Sequence, residues 1–294
     1  MKINMIPPQT EEIFMMLTNG IGEGDIMKSL NNRLSRNLQE FTQLYTNELN
    51  NTLNGDLIEG VYLYGSIALG AFNEYKSDID FIVLLKRPAS VQELTSIKEI
   101  HTKMNTNHFG NRMDGVYLQA NLVGKINEEQ PFYPYCEEGI IDVGHWDVNH
   151  ITWWVLKKHG ITLQGKRIED LEIPTNWEDV MKTLNYNINH YWFDKTKEVD
   201  NFLSDNMIEF TTTTICRIIC SLEKKDIFSK DAAVNECLNI LPERWYPLLK
   251  EGARIRTESI TKSLFFSNRI RAEECRDFIL FAHQLCNEKF FVEV

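Results

Sequence analysis

The sequence predicts an α+β protein: a mixed β-sheet with flanking helices over residues 1–170, then an all-helical bundle over 171–294. Three observations predict it. Short apolar runs at Val61–Tyr64, Ile79–Leu85 and Val116–Val123 have strand length and alternate with segments of helical period. Beyond Lys166 no such run recurs, and Pro174 with Asn176 makes a break. After the break, apolar residues recur at steps of three and four through short connectors, the pattern of packed helices.

Taken in order, residues 1–30 mix Pro, Gly and polar residues with apolar patches such as Ile13–Leu17, and one short helix is expected there. Leu34, Leu38, Phe41, Leu44, Tyr45, Leu49 and Leu53 form the apolar stripe of a helix that Asn54-Gly55-Asp56 ends. Lys86-Arg87-Pro88 stops the second strand, and the capping-box pattern Ser90–Glu93 opens a helix to about Asn105. Asp114-Gly115 opens the third strand, with Asp114 either a turn residue, as Asp-Gly commonly is, or a third carboxylate beside Asp78 and Asp80. Pro131–Gly144 is aromatic, acidic and irregular, and is expected to be a long loop. Asn149–Lys158 is a helix closed by Gly160, with cations in its last turn, and Ile161–Leu163 is extended. The bundle helices are Trp177–Trp192, Asp205–Leu222, Lys230–Leu241, Glu243–Arg256 and Ala272–Phe291.

Composition narrows the function. The chain has 294 residues, enough for two domains, with 31 Lys plus Arg against 42 Asp plus Glu and a net charge of −11. A polyanion is repelled on average, which argues against nucleic acid and favours cationic partners. No apolar run approaches a membrane span, and the N-terminus has no secretory apolar core, so a cytoplasmic monomer is expected. Cysteines 136, 216, 220, 237, 275 and 286 make no C-x-x-C, and packed free thiols are expected rather than zinc or disulfides.

One stretch concentrates the chemistry. Asp78 and Asp80 sit two apart at the start of a strand, so both carboxylates leave the same face. Adjacent anions call for a cation, and Mg²⁺ shared between carboxylates and substrate phosphates suits them. Gly65-Ser66 follows the first strand; glycine permits a sharp turn, and a helix opening at Ser66 would point N–H groups at a phosphate. Either half alone is a weak signal. Together they spell G-S-x10-S-D-I-D, which resembles the signature of the polymerase-beta-like nucleotidyltransferase superfamily and draws in Ser77.

Four segments, the first of them containing this motif, make the resemblance narrower. Tyr62–Asp80, Lys157–Gly165 (KKHGITLQG), Thr214–Ala233 with its ICRI and FSKDAA runs, and Leu241–Arg256 (LPERWYPLLKEGARIR) resemble the aminoglycoside adenylyltransferases of the streptomycin/spectinomycin type, in the same order. The resemblance implies a nucleotidyltransferase domain and a helical domain with the active site between them. It implies ATP as co-substrate, Gly65, Ser66 and Ser77 at the nucleotide, Asp78 and Asp80 on Mg²⁺, Asp114 as base, and Lys230 reaching the triphosphate. Two departures stand out: Asp114 occupies a place where family members often have Glu, and Ser204–Thr211 differs from the family's acceptor-selecting segment.

The implied reaction is transfer of AMP to a hydroxyl of a small cationic or polyhydroxylated acceptor, with antibiotic resistance as its consequence. Glu137, Glu138, Asp142, Asp147, Asp205 and Glu209, with Trp146, Trp153, Trp154 and Trp192, are the candidate acceptor groups. Singly, each acid is more often a solvated charge, and the Trp153-Trp154 pair more often helix core. His145, His150 and His159 have no metal spacing or nucleophile partner and are read as structural. The competing readings are nucleotidylation of a protein or RNA, and a nucleotide-binding regulator on the same fold.

Overall fold

The structure, a computed structural model, describes residues 33–53, 56–257 and 262–291. The short helix expected within residues 1–30 lies outside them. Helix α1 (Arg36–Thr52) begins where the Ser35 hydroxyl accepts the Leu38 N–H, and it buries Leu38, Phe41, Tyr45 and Leu49. Six strands follow: β1 (Ile58–Leu63), β2 (Ile79–Leu85), β3 (Met113–Gln119), β4 (Tyr133–Glu137), β5 (Ile140–Gly144) and β6 (Ile161–Gln164). Their order in the sheet is β5-β4-β3-β2-β1-β6. Only β2 and β3 run parallel, paired without a break from Ile79↔Met113 to Leu85↔Gln119; the crossover between them contains α3 (Val91–Met104), opened by the Ser90–Glu93 capping box. The one-turn helix α2 (Gly65–Ala68) follows β1.

Successive strand residues face opposite ways. Phe81, Val83 and Leu85 join the core under α1 and α3, while Ile82 and Leu84 join the core with Trp153 and Leu156 of α4 (His150–His159). Both faces are therefore covered, which is why Val61–Leu63 of β1 and Phe81–Leu85 of β2 are continuous apolar runs. The same parity puts Asp80 and Asp114 on the α4 side, at the start of their strands.

Two expectations need correction. Pro131–Gly144 is a hairpin rather than a loop: β4 and β5 pair from Tyr133↔Gly144 to Glu137↔Ile140 around Glu138 and Gly139, both with positive φ. Two prolines and an exposed edge strand hide its alternation. For Asp114-Gly115 the turn reading falls: both residues are part of β3, with Gly115 lying against the Phe81 ring and carbonyl of β2, where a side chain has no room.

The helices of the second half are α5 (Trp177–Tyr186), α6 (Asp205–Lys224), α7 (Lys230–Ile240), α8 (Tyr246–Arg256) and α9 (Asn268–Phe290). The expected single helix Trp177–Trp192 changes its winding: residues Asn187–Trp192 form a π-turn. Such widening is frequent at functional sites. The helical core, built on Ile215, Ile219, Leu249, Phe278 and Ile279, extends across to Ala68 and Val155, so it seats directly on α2 and α4. The six cysteines are free and buried, as expected. Among the described residues no helix is long and apolar enough to cross a membrane.

Candidate active site

A cavity of about 540 Å³ lies between the sheet end and the helical half. That is the ordinary range for a ligand pocket, roughly 300–1,000 Å³. Its sheet-side wall includes Gly65, Ser66, Ser77, Asp78 and Asp80; its helical wall includes Phe210, Arg217, Lys230 and Arg256. Of the predicted site residues, only Asp114 is not in the cavity wall. It is the lateral neighbour of Asp80 in the β2–β3 ladder, one strand away.

The β1–α2 turn is built around the Asp80 carboxylate. Gly65 has φ +59°, a conformation L side chains rarely adopt, and the Ser66 N–H donates to Asp80 Oδ2 at 3.3 Å. That N–H is therefore engaged by the protein itself. The Ser66 hydroxyl, by contrast, is buried with no hydrogen-bond partner among the described residues, an arrangement that favours a ligand oxygen. The Ser77 hydroxyl accepts the Asn73 N–H at 2.9 Å and so shapes the loop that delivers Asp78. Arg112 braces the same loop, donating to the carbonyls of Glu74 (2.7 Å) and Ser77 (3.3 Å).

Three carboxyl groups are pushed upward here. Loss of water raises Asp80 to about 7, with the Asp78 and Asp114 charges adding to it and the Ser66 N–H opposing. Asp114 rises to about 6, again chiefly by burial, although the Glu138 N–H donates to its Oδ1 at 2.9 Å. Asp78 is raised by burial and held back by Lys230 and Arg112. Crowded carboxylates in a partly dry cleft constitute an unfilled demand for positive charge.

The helical wall answers part of it. Lys230 lies 3.7 Å from Glu209 Oε1 and over the Phe210 ring. Arg256 donates to Glu209 Oε1 at 3.0 Å and to Asp231 Oδ1 at 2.7 Å. Arg217 donates to the Phe228 carbonyl and is electrostatically coupled to Asp80 and Asp147. Contacts between the sheet half and the helical half include Lys76 Nζ donating to the Arg256 carbonyl at 2.6 Å and Trp154 Nε1 donating to Asp226 Oδ1 at 2.9 Å.

The acceptor candidates separate. Asp147 and Trp192 line the cavity. Asp205 is paired with Arg271, Trp146 stacks on Tyr135, and Trp153 is core. None of His145, His150 and His159 is in the wall. Sequence reasoning did not single out Arg217, Arg256, Asn187 or Tyr191, all of which line the cavity. The signals were slight: an arginine in the ICRI run, another ending the GARIR run, and polar and aromatic residues near the end of α5.

Among the described residues no group of three or more His, Cys, Asp or Glu is arranged to hold a metal by itself. A pair of hard carboxylate donors beside an unpartnered serine hydroxyl nevertheless suits Mg²⁺, which takes one or two carboxylates and completes its shell with substrate phosphates and water.

A small mixed sheet presents acidic residues at a strand-start edge, beside a Gly-Ser turn, and the stretch that carries them, residues 47–129, matches the nucleotidyltransferase domain family. That span contains Gly65, Ser66, Ser77, Asp78, Asp80 and Asp114. Residues 173–280, which supply Arg217, Lys230 and Arg256, match the family model of the aminoglycoside adenylyltransferase C-terminal domain. It is 24% identical over 234 residues to the spectinomycin 9-adenylyltransferase of Campylobacter jejuni, covering 72% of this chain and 84% of that protein. Its fold is similar to that of the spectinomycin adenyltransferase of Enterococcus faecialis, crystallised with ATP and spectinomycin. There the TM-score is 0.57 at 15% identity, over 82% of this chain and 98% of the other.

Proposed function

We propose that this protein transfers AMP from ATP to a hydroxyl of a small, cationic or polyhydroxylated acceptor of the streptomycin/spectinomycin class, releasing pyrophosphate. The observation that carries the reading is one cavity with acidic groups on its sheet wall and Arg217, Lys230 and Arg256 on its helical wall. The named activities of the relatives give the acceptor class.

In this reading the boundary near residue 170 separates a catalytic domain from one that closes over the nucleotide. The acceptor oxygen attacks the α-phosphorus, the bond from that phosphorus to the β-bridging oxygen breaks, and pyrophosphate leaves. The hydroxyl proton goes to Asp114, whose carboxyl at about 6 is a better base than an ordinary carboxylate. The Ser66 hydroxyl donates to a phosphate oxygen, and Lys230 and Arg217 offset phosphate charge. Asp78 and Asp80 would hold Mg²⁺, which when bound offsets the charge of the triphosphate and orients it. Asp147 pairs with an ammonium group of the acceptor, at the wall of the same cavity. All these groups come from one chain, so the reading needs no second copy.

The test is mass spectrometry of spectinomycin and streptomycin after incubation with the protein, ATP and magnesium chloride. The expected product is the antibiotic plus one AMP, with matching pyrophosphate. ATP binding without an adduct on any small acceptor would overturn the reading in favour of a nucleotide-binding regulator, and AMP found on protein would redirect it to protein nucleotidylation.

A further inference from the structure

The Glu209 carboxylate is half-buried beside the cavity and is shared by two of the cations that line it, Lys230 at 3.7 Å and Arg256 at 3.0 Å. Asp231 takes the other side of Arg256 at 2.7 Å. Lys230 lines the same cavity as Asp78, which faces it from the sheet wall. Lys230 thus stands between an anion on the helical wall and an anion on the sheet wall. Arg256 is anchored from three directions: its side chain by Glu209 and Asp231, and its carbonyl by Lys76 from the sheet half.

We propose that Glu209 is a built-in competitor for the phosphate chain: it holds Lys230 and Arg256 at the cavity wall when the site is empty and takes them back as pyrophosphate leaves. This rests on the nucleotide reading of the cavity and deepens it. A triphosphate brings several negative charges to two cations that already share one carboxylate. Lys230 is a flexible point charge and can turn from Glu209 to a phosphate oxygen. Arg256, with five donors in a fixed fork, can keep Asp231 while exchanging Glu209 for phosphate. Arg256 is thereby a third phosphate-facing cation, and Glu209 a positioning residue that sets how tightly the phosphates are held. A ligand shifts such an equilibrium only by its differential interaction with the two arrangements. Removing the competitor therefore tightens phosphate binding, and removing the cation loosens it.

The experiment is calorimetric titration of ATP and of inorganic tripolyphosphate into the wild-type chain, Glu209→Gln and Arg256→Gln, with AMP transfer measured in parallel. Glu209→Gln should bind both ligands several-fold more tightly, and under saturating ATP its kcat should fall where pyrophosphate release limits turnover. Arg256→Gln should bind both roughly tenfold more weakly, the scale of one lost charge-assisted contact. Thermal unfolding of both variants checks that the α6–α8 packing survives. The inference is overturned if Glu209→Gln binds tripolyphosphate as the wild type does or more weakly, or if the wild type does not bind it. If tripolyphosphate binding follows the predicted order while no acceptor receives AMP, the competitor role stands and the transferase reading falls.

Discussion

Replacing Gly65 by alanine separates the geometry of the carboxylate site from the stability of the fold. At φ +59° an L side chain costs roughly 1–2 kcal/mol, which for a chain of this size lowers Tm by about 2–6 °C. The second cost is steric. A methyl built on Gly65 lies 2.8 Å from the Asp80 Cβ and nearer still to its Cγ and Oδ2. Asp80 cannot retreat, because its strand is paired on both sides, to β1 and to β3. The carboxylate or the β1–α2 turn must therefore move, by a distance on the order of 1 Å, and a displacement of that size costs up to about 10²-fold in rate. Gly70→Ala is the control. Gly70 has φ +67°, but a methyl there meets nothing within 4 Å, and Gly70 is not in the cavity wall. By differential scanning calorimetry Gly70→Ala should show the backbone cost alone, and Gly65→Ala that cost plus whatever the displaced carboxylate or turn adds. Only Gly65→Ala should lose most of its pyrophosphate release with ATP and spectinomycin. Near-wild-type turnover of Gly65→Ala, or equal loss in Gly70→Ala, would refute the argument that this glycine exists to admit the Asp80 carboxylate.

Other outcomes follow from the same site. Asp80 at about 7 and Asp114 at about 6 lie above ordinary carboxyl values, so the folded state binds their protons more tightly than the unfolded chain does. The ligand-free protein should therefore gain stability from these groups as pH falls from about 7.5 to 5, and Asp80→Asn should flatten that part of the Tm profile while abolishing AMP transfer. Asp114→Ala should lower kcat far more than ATP affinity, and wild-type kcat should rise as pH passes about 6; a flat pH–rate profile would remove Asp114 as the base. Lys230→Ala should weaken ATP binding roughly tenfold in calorimetry while lowering Tm by no more than about 3 °C, since a partly exposed ion pair contributes little.

Local pattern carried much of the fold, and its failures have identifiable causes. β1 and β2 are legible because their stretches buried on both faces, Val61–Leu63 and Phe81–Leu85, are unbroken apolar runs, and Asp78 and Asp80 stand out where the second begins. β3 was placed three residues late: Asp-Gly has the composition of a turn, and only the parallel ladder with β2 makes it a strand. The β4–β5 hairpin was missed because an edge strand has no buried face to enforce alternation, as exposed Ile140 and Val143 testify. The start of α9 was set at Ala272 instead of Asn268, since the Ser267 cap precedes a polar first turn. Arg217 could not be singled out as a cavity residue from α6 alone, because an arginine within a helix usually faces water. Its place beside Asp80 is a tertiary fact, as is the Glu209 pairing with Arg256 across 47 residues of sequence.

The parallel pairing of β2 with β3 has a consequence for variation in this protein. Two strands running the same way begin at the same edge, so Asp80 and Asp114 are matched by chain direction alone, with no turn needed to bring them together. Their separation is then dictated by the ladder behind them, down to Leu85↔Gln119. A slip of one residue in either strand would reverse the face of every side chain beyond it. The residues that resist slippage are Phe81, Val83 and Tyr117 on one face and Ile82, Val116 and Leu118 on the other, none of which lines the cavity. Alignment of the acids is thus enforced by hydrocarbon. Natural drift at these interior positions will change turnover before it changes any group that touches a ligand, and a search confined to the cavity wall will not find it.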